Sequence, residues 1–345
     1  MSTVVQHVPV SGERRPSGWV RRHPWRTAVL TLLLGFLLLN LLAYQHAGAM
    51  LTFTDSATRT PSPHTLSLWH KAKVLTCGVT VPRPENRREP RELGLAAETV
   101  RLDRTVGPCL EGWVIAPPKA TGTVLLFHGY SACRSHLLEE AGAFTRMGFA
   151  AVLVDFRGAG GSGGTTTSLG YQEADDVAAA VKYIHERGLP RPLVLYGQSM
   201  GGAAILRSVS ERGVRADAVI VESVFGRMLT AVRNRFTMMR VPSFPAAELL
   251  VFWGGVRIGF WGFGHNPAEY ARACDPPTLV LHGGADRHAT VAEGQEIYEN
   301  LPGDKELVVF DGASHTALLA ADPPRWRRVV RQFLDTHIRR ESAPQ

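Results

Sequence analysis

With 345 residues, 45% hydrophobic and 20% charged, the chain has a globular composition and enough apolar material for a large core, which excludes a disordered or fibrous protein. The net charge of +7 does not mark a nucleic-acid binder: Arg14, Arg15, Arg21, Arg22 and Arg26 against Glu13 carry most of it, and the remainder of the chain is close to neutral. The cysteines Cys77, Cys109, Cys133 and Cys274 show no CxxC spacing and no His/Cys/Asp cluster has ligand spacing, so the sequence calls for no metal and no cofactor.

Residues 1–26 read as a basic cytoplasmic tail. Residues 27–44 carry no charge and are half leucine, which suits a membrane-spanning signal anchor. The arginines ahead of it keep the N-terminus in the cytoplasm and send the rest across the membrane. A cleaved signal peptide is the rival, because Ala47-Gly48-Ala49 resembles a processing site; the apolar run is longer than the usual h-region and favours the anchor. Outside the cytoplasm the four cysteines can pair in three ways, and isolated buried thiols are the plainer reading. Residues 45–96, rich in Pro and Arg, read as a juxtamembrane extension with one short amphipathic helix over 65–75.

From residue 97 to 340 the pattern is regular. Strands are expected over 98–102, 110–115, 123–127, 150–155, 193–196, 218–221, 278–281 and 307–310. Helices are expected over 137–147, 173–187, 200–212, 291–301 and 325–338. Uniformly apolar strands alternating with helices predict an α/β fold with a mostly parallel, doubly wound sheet and an antiparallel opening edge. More than fifty residues separate the strands at 218–221 and 278–281, far beyond a normal crossover. This insertion, about 224–272, is rich in aromatics and glycine (Phe225, Phe236, Phe244, Phe252, Trp253, Phe260, Trp261, Phe263) and reads as a helical cap whose aromatics largely pack onto the sheet.

The chemistry centres on Gly197-Gln198-Ser199-Met200-Gly201. A lone G-x-S-x-G occurs by chance roughly 0.1 times in a chain of this length, but here a strand runs in and a helix runs out, the setting of a nucleophile elbow. A serine hydroxyl needs a base, and the base an orienting acid. His315 follows the strand at 307–310 and Asp286 the strand at 278–281, so both sit at carboxyl ends of strands, where open α/β sheets build their sites. Glu222, also at a strand end, is the alternative acid; His265, His282 and His288 read as structural. Oxyanion donors are expected from the backbone N–H of Met200 and, in His128-Gly129-Tyr130, of Tyr130. The glycine-rich run from Asp155 to Gly163 lacks a phosphate-binding arrangement and reads as a scaffold loop.

Taken together, HGY, DFRGAGGS, GQSMGG, HGGAD and GASH, behind an N-terminal apolar span, resemble the α/β-hydrolase superfamily and, within it, the membrane-anchored α/β-hydrolase-domain serine hydrolases. The resemblance covers residues 97–340. It implies an α/β-hydrolase fold, Ser199 as nucleophile, Asp286 as acid, His315 as base, Tyr130 and Met200 as oxyanion donors, and substrates among lysophospholipids, acylglycerols, acylated proteins or peptides. One departure is local: where relatives carry Val or Ile shortly after the acid, this chain has Arg287-His288-Ala289-Thr290-Val291. The expectation is a single-pass, extracytoplasmic serine hydrolase of carboxylic esters, lipase-like, with a small-molecule or lipid ester as substrate and no nucleic-acid partner. A peptidase or amidase on the same fold, or a non-catalytic membrane-attached binding module, are the alternatives.

Overall fold

The structure, a computed structural model, describes residues 23–56, 58–60, 67, 69, 73–74, 78–104 and 106–338. Most of the expected helix at 65–75, Cys77 and most of the tail 1–26 lie outside these residues. Two compact units divide after Leu41. Helix α1 (Pro24–Leu51) begins in the first and ends in the second. Its 28 residues rise about 42 Å at 1.5 Å each, more than the ~30 Å hydrocarbon core of a bilayer. In the first unit most of its leucines are exposed, Leu32 by 73% and Leu34 by 65%. In the second unit α1 gains a buried stripe, Ala43, Ala47, Gly48 and Leu51, at the three-to-four-residue spacing of a packed helix face.

The second unit is built on one eight-stranded sheet in the order β1-β2-β4-β3-β5-β6-β7-β8. The strands are β1 (Glu98–Leu102), β2 (Leu110–Ile115), β3 (Thr123–Phe127), β4 (Ala150–Asp155), β5 (Leu193–Gln198), β6 (Ala218–Glu222), β7 (Thr278–Gly283) and β8 (Lys305–Phe310). β1, β2 and β4 pair antiparallel and all the other neighbours parallel, as the opening strand pair predicts. The central strands β3 and β4 are buried along their full length, because helices cover both faces. Val124 and Leu126 point to one side, with α2 (Leu138–Arg146), the short α9 (Leu318–Ala321) and α10 (Pro323–His337). Leu125 and Phe127 point to the other, with α3 (Glu173–Glu186), α4 (Met200–Arg212) and α8 (Val291–Asn300). The two-residue period of the strand thus feeds two separate cores. The chain enters α2 through a 3-10 turn, Arg134–Leu137, so the expected helix at 137–147 starts one residue late. α10 starts two residues earlier than expected, with prolines in its first turn and the Asp322 carboxylate accepting from Arg325 N–H at 3.1 Å, a standard N-cap.

Between β6 and β7 the insertion folds as α5 (Met228–Met239), α6 (Ala246–Ile258) and the short α7 (Pro267–Tyr270). Phe260 stacks on Tyr171 with centroids 4.0 Å apart and Phe225 is buried, whereas Phe244, Phe252 and Trp261 are exposed. The aromatics therefore divide between inward packing and solvent. The last turns of α1 pack on α6. Tyr44 meets Trp253 edge-on at 5.4 Å and lies under the Arg257 guanidinium. A Cβ on Gly48 would lie 2.4 Å from the Arg257 Cζ, so any larger residue here would have to displace that guanidinium from Tyr44. Beyond α1 the chain stays bound to the sheet edge loops, with Phe53 N–H donating to Thr165 and Thr167 N–H to Leu51. Among the described residues, Cys109, Cys133 and Cys274 are free thiols.

Trp326 is fully buried under the sheet, edge-on to Phe144 and Tyr196, and its Nε1–H donates to Glu222 at 3.2 Å. Trp326→Ala leaves a cavity and removes one donor from a buried carboxylate. We expect a loss of about 3–5 kcal/mol, read as a shift of the urea midpoint with an unchanged slope; a shift worth under about 1 kcal/mol would contradict this packing.

Candidate active site

β5 delivers Ser199 to the carboxyl edge of the sheet and α4 begins at the next residue. To turn that sharply, Ser199 adopts φ 49°, ψ −112°, a conformation disfavoured for any residue with a Cβ. The surrounding glycines are sterically obligatory. A Cβ on Gly197 would lie 2.6 Å from Gly201 backbone, one on Gly201 would lie 2.3 Å from Phe127 O, and one on Gly202 would lie 2.3 Å from Val224. Ser199 N–H donates to Glu222 O at 2.7 Å, tying the turn to β6.

The structure brings together the three side chains that the motifs single out. Ser199 Oγ lies 3.1 Å from His315 Nε2, and His315 Nδ1 lies 2.7 Å from Asp286 Oδ2. The other Asp286 oxygen accepts from the N–H groups of His288 (2.8 Å) and Ala289 (3.0 Å). Burial pushes the Asp286 carboxyl upward, but the His315 contact and these two backbone donors outweigh it and hold the pKa below its ordinary value. The unusual Arg287-His288-Ala289 run therefore supplies donors from its backbone, and Thr290 then opens α8 with a capping box to Glu293.

Met200 N–H lies in the first turn of α4, where no intrahelical acceptor exists. Gly129 packs against the same turn, 3.6 Å from its ideal Cβ position to Ser199 Cβ, which puts the His128-Gly129-Tyr130 loop beside Ser199. His128 locks that loop. It is buried, its Nδ1–H donates to Gly129 O at 2.8 Å, and its Nε2 accepts from Phe156 N–H at 3.1 Å. Burial lowers its pKa, so the ring is neutral, as an accepting Nε2 requires. The Tyr130 hydroxyl donates to Met50 O at 2.6 Å, fastening the loop to the end of α1. The Asp155 loop acts as scaffold: the Asp155 carboxylate takes Arg134 N–H (2.7 Å), Asn86 (2.7 Å) and Gly161 N–H (2.9 Å).

Glu222 is placed differently from Asp286. Its oxygens accept from Leu318 N–H (2.9 Å), Tyr196 OH (2.8 Å), Trp326 Nε1–H and Gln198 Nε2 (3.3 Å), so it braces the floor rather than contacting His315. His265 and His282 are fully buried and bond to the carbonyls of Leu169 and Ala289. His288 instead lines the site, its ring centroid 5.1 Å from that of His315.

Two titratable groups escape the motifs, one buried and one half-buried. Glu140 on α2 faces Glu222 through Gln198, whose Nε2 donates to it at 3.2 Å. Arg235 on α5 lines the same cavity as Ser199. Both were legible in principle from periodicity: Glu140 shares the inward stripe of Leu137, Ala141 and Phe144, and Arg235 that of Met228 and Ala231. The cavity measures about 610 Å³. Its wall includes Ser199, His315, Gly129 and Tyr130, together with Met50 from the last turn of α1 and Val74, Val79 and Val81 from the segment after it. Among the described residues no cluster of three or more His, Cys, Asp or Glu has the geometry to hold a metal.

Comparison with known proteins agrees with this architecture. Residues 118–248 match the family described as serine aminopeptidase, S33. The uncharacterized protein YfhR of Salmonella typhimurium is 30% identical over 238 residues, 64% of this chain and 74% of that one. An uncharacterized membrane protein of Saccharomyces cerevisiae, YNL320W, is 26% identical over 250 residues, 71% of this chain and 82% of that one. Among solved structures, the Pyrococcus furiosus esterase Pf2001 superposes with a TM-score of 0.64 at 25% identity, covering 74% of this chain and 97% of that one. The chain belongs to the α/β-hydrolase family.

The carboxyl pair beneath the turn has a pH signature. Burial, then the neighbouring Glu222, push the Glu140 pKa from 4.5 to about 8, and its buried Oε2, without a partner among the described residues, is the natural site of the retained proton. The folded state thus binds this proton more tightly than the unfolded state. The stability it contributes is complete below about pH 4.5 and is lost as pH rises through about 8. Glu140→Gln should flatten that decline, by on the order of a few kcal/mol between about pH 6 and pH 9, in urea melts. Equal declines in the two proteins would show that Glu140 is ionised throughout.

Proposed function

We propose that this α/β hydrolase is a serine hydrolase of carboxylic esters, with Ser199 as nucleophile, His315 as base and Asp286 as orienting acid. The observation that carries it is the unbroken run of contacts, 3.1 Å from Ser199 Oγ to His315 Nε2 and 2.7 Å from His315 Nδ1 to Asp286 Oδ2, within ordinary hydrogen-bond reach. Ser199 Oγ attacks the ester carbonyl carbon as His315 Nε2 takes the hydroxyl proton. The carbonyl π pair moves onto oxygen, where the N–H groups of Met200 and Tyr130 hold the negative charge. That pair returns, the C–O bond to the alcohol breaks, and the leaving oxygen takes the proton from His315. Water then repeats the cycle on the acyl-serine, releasing the acid and restoring Ser199. Asp286, kept ionised, stabilises the imidazolium at each half-step.

The description of the matching family suggests aminopeptidase action as the second reading. An aminopeptidase must hold a substrate ammonium. Arg59 and Arg235 both line the cavity, and Glu222, its one acidic lining residue among those described, has its oxygens engaged by Leu318, Tyr196, Trp326 and Gln198. Those charges disfavour a free amino terminus and support the ester. The apolar wall from Met50, Val74, Val79 and Val81 supports an acyl chain or lipid ester as substrate.

Full-length protein should label with a fluorophosphonate probe and hydrolyse short acyl esters, and Ser199→Ala should lose both, with kcat down at least about 10⁴-fold. Turnover of aminoacyl anilides in preference to esters would transfer the assignment to the aminopeptidase. Absence of labelling, or labelling that survives Ser199→Ala, would defeat the mechanism.

The reading extends to topology: a basic tail over 1–26, an anchor over 27–44, a juxtamembrane extension over 45–96 and an extracytoplasmic hydrolase domain over 97–340 with its cap at about 224–272. Burial of Ala47 and Gly48 against α6, and the bond from Tyr130 to Met50, support retention of the helix over cleavage after residue 49, because cleavage would strip a packed element from the domain. The protein should stay in the membrane fraction at its full mass of 37.7 kDa after alkaline carbonate washing, and alkaline phosphatase fused to its C-terminus should be active. A soluble, shortened product or an inactive fusion would overturn the anchor or its direction, respectively.

A further inference from the structure

Arg235 stands apart from its neighbours on α5. Arg227 pairs with Glu269 and Glu296, and Arg233 with Glu248. Arg235 lies on the inward face of the helix, half-buried, and its one hydrogen bond to the described residues is from Nη1 to Ala231 O at 2.8 Å, within its own helix. The nearby carboxylates are already committed. Glu293 accepts from Gly226 N–H (3.1 Å), Asn234 (2.8 Å) and Thr290 N–H (2.8 Å), and Asp286 holds His315, His288 N–H and Ala289 N–H. The opposite contribution to the wall does not supply a counter-charge: residues 56–84 contain no Asp or Glu, and they bring Arg59 to the same cavity. A guanidinium withdrawn from water without an anionic partner is costly. Burial accordingly lowers the Arg235 pKa, with Tyr130, Asp286 and Glu293 opposing the shift, yet the group remains a cation at neutral pH.

We propose that Arg235, with Arg59 on the same wall, binds an anionic group of the substrate, so that the preferred esters carry a phosphate or carboxylate close to the scissile bond. This rests on the ester-hydrolase reading above. A guanidinium suits either anion, because its fork of donors matches the paired oxygens of both. Arg235 is then the residue that sets specificity, while Ser199, His315 and Asp286 carry the chemistry.

The test uses the full chain in detergent and three water-soluble esters. 1-Hexanoylglycerol 3-phosphate places a phosphate on the alcohol side, monohexyl glutarate places a carboxylate on the acyl side, and 1-hexanoylglycerol is neutral. We expect wild type to favour at least one anionic ester over the neutral one in kcat/KM by about 10-fold or more, and Arg235→Gln to cut that ratio roughly 10- to 100-fold, the range for a hydrogen bond to a charged group. Arg235→Lys should recover part of it, and Arg240→Gln, at an exposed arginine just past the end of α5, should keep the ratio. The ester whose ratio depends on Arg235 identifies the anion as phosphate or carboxylate. Fluorophosphonate labelling of Arg235→Gln at the wild-type rate shows that its site is folded; if it is slowed, the ratio in Arg235→Lys decides.

Hydrolysis of the neutral ester with no anionic preference, or with a preference untouched by both Arg235 variants, overturns this proposal and leaves the hydrolase reading standing. Titration calorimetry on Ser199→Ala separates the two in the other direction. Binding of an anionic ester that Arg235→Gln abolishes supports the anion site even where no ester is turned over, and equal binding of charged and neutral esters sinks it.

Discussion

The backbone turn at Ser199 constrains everything around it. A serine with φ 49° and ψ −112° is not a conformation the chain would hold unaided, and the cost of such strain is typically about 1–3 kcal/mol. It is held because β5 enters paired on both sides, to β3 and β6, and because α4 leaves at once to pack across the sheet. Gly197 and Gly201 let backbone meet backbone where a Cβ would clash, and Gly202 leaves room for the Val224 side chain. The hydroxyl is thereby raised above the sheet edge, where loops from β7 and β8 bring a carboxylate and an imidazole to it. Strain at one residue is what makes a side chain from the buried middle of the sheet accessible.

Beneath that turn lies a second layer whose side chains make no hydrogen bond to the Ser199 hydroxyl among the described residues. Gln198 lies between Glu140 and Glu222, with Tyr196 and Trp326 completing the group. Two carboxyls in a buried layer cannot both ionise without large cost, so one keeps its proton and the pair behaves as a hydrogen-bonded unit. The consequence for the site is mechanical. Glu222 accepts Leu318 N–H on the chain just beyond His315 and, through its main-chain oxygen, Ser199 N–H. One residue thus braces the two segments that must approach within hydrogen-bond distance, and its side chain serves as strut while Asp286 faces the imidazole.

The segment after the apolar helix belongs to the same compact unit as the sheet and lines the cavity at its edge. The last turns of α1 bury a stripe against the cap, Met50 O holds the Tyr130 hydroxyl, and residues up to Val81 complete the cavity wall. The chain thus enters the domain along the rim of the candidate site. The wall it builds is apolar and cationic, and those two features are what the proposed substrate rests on.

Much of the architecture was legible in the sequence alone. Strand and helix positions followed from apolar runs, glycine stops and the two-residue period, since burial on both faces of a parallel sheet leaves an unmistakable record in local composition. The antiparallel edge and the long insertion followed from spacing. The positions of Ser199, Asp286 and His315 at strand ends were equally visible, because α/β sheets place their sites there. That the three side chains touch, that Glu222 turns into the floor while Asp286 meets the imidazole, that Glu140 is buried beside Glu222 with its pKa raised, and that Arg235 faces the cavity with no carboxylate hydrogen-bonded to it among the described residues were decided only by tertiary structure. Each of these depends on what approaches from distant parts of the chain, and pKa, pairing and accessibility are properties of a neighbourhood that the order of residues does not itself contain.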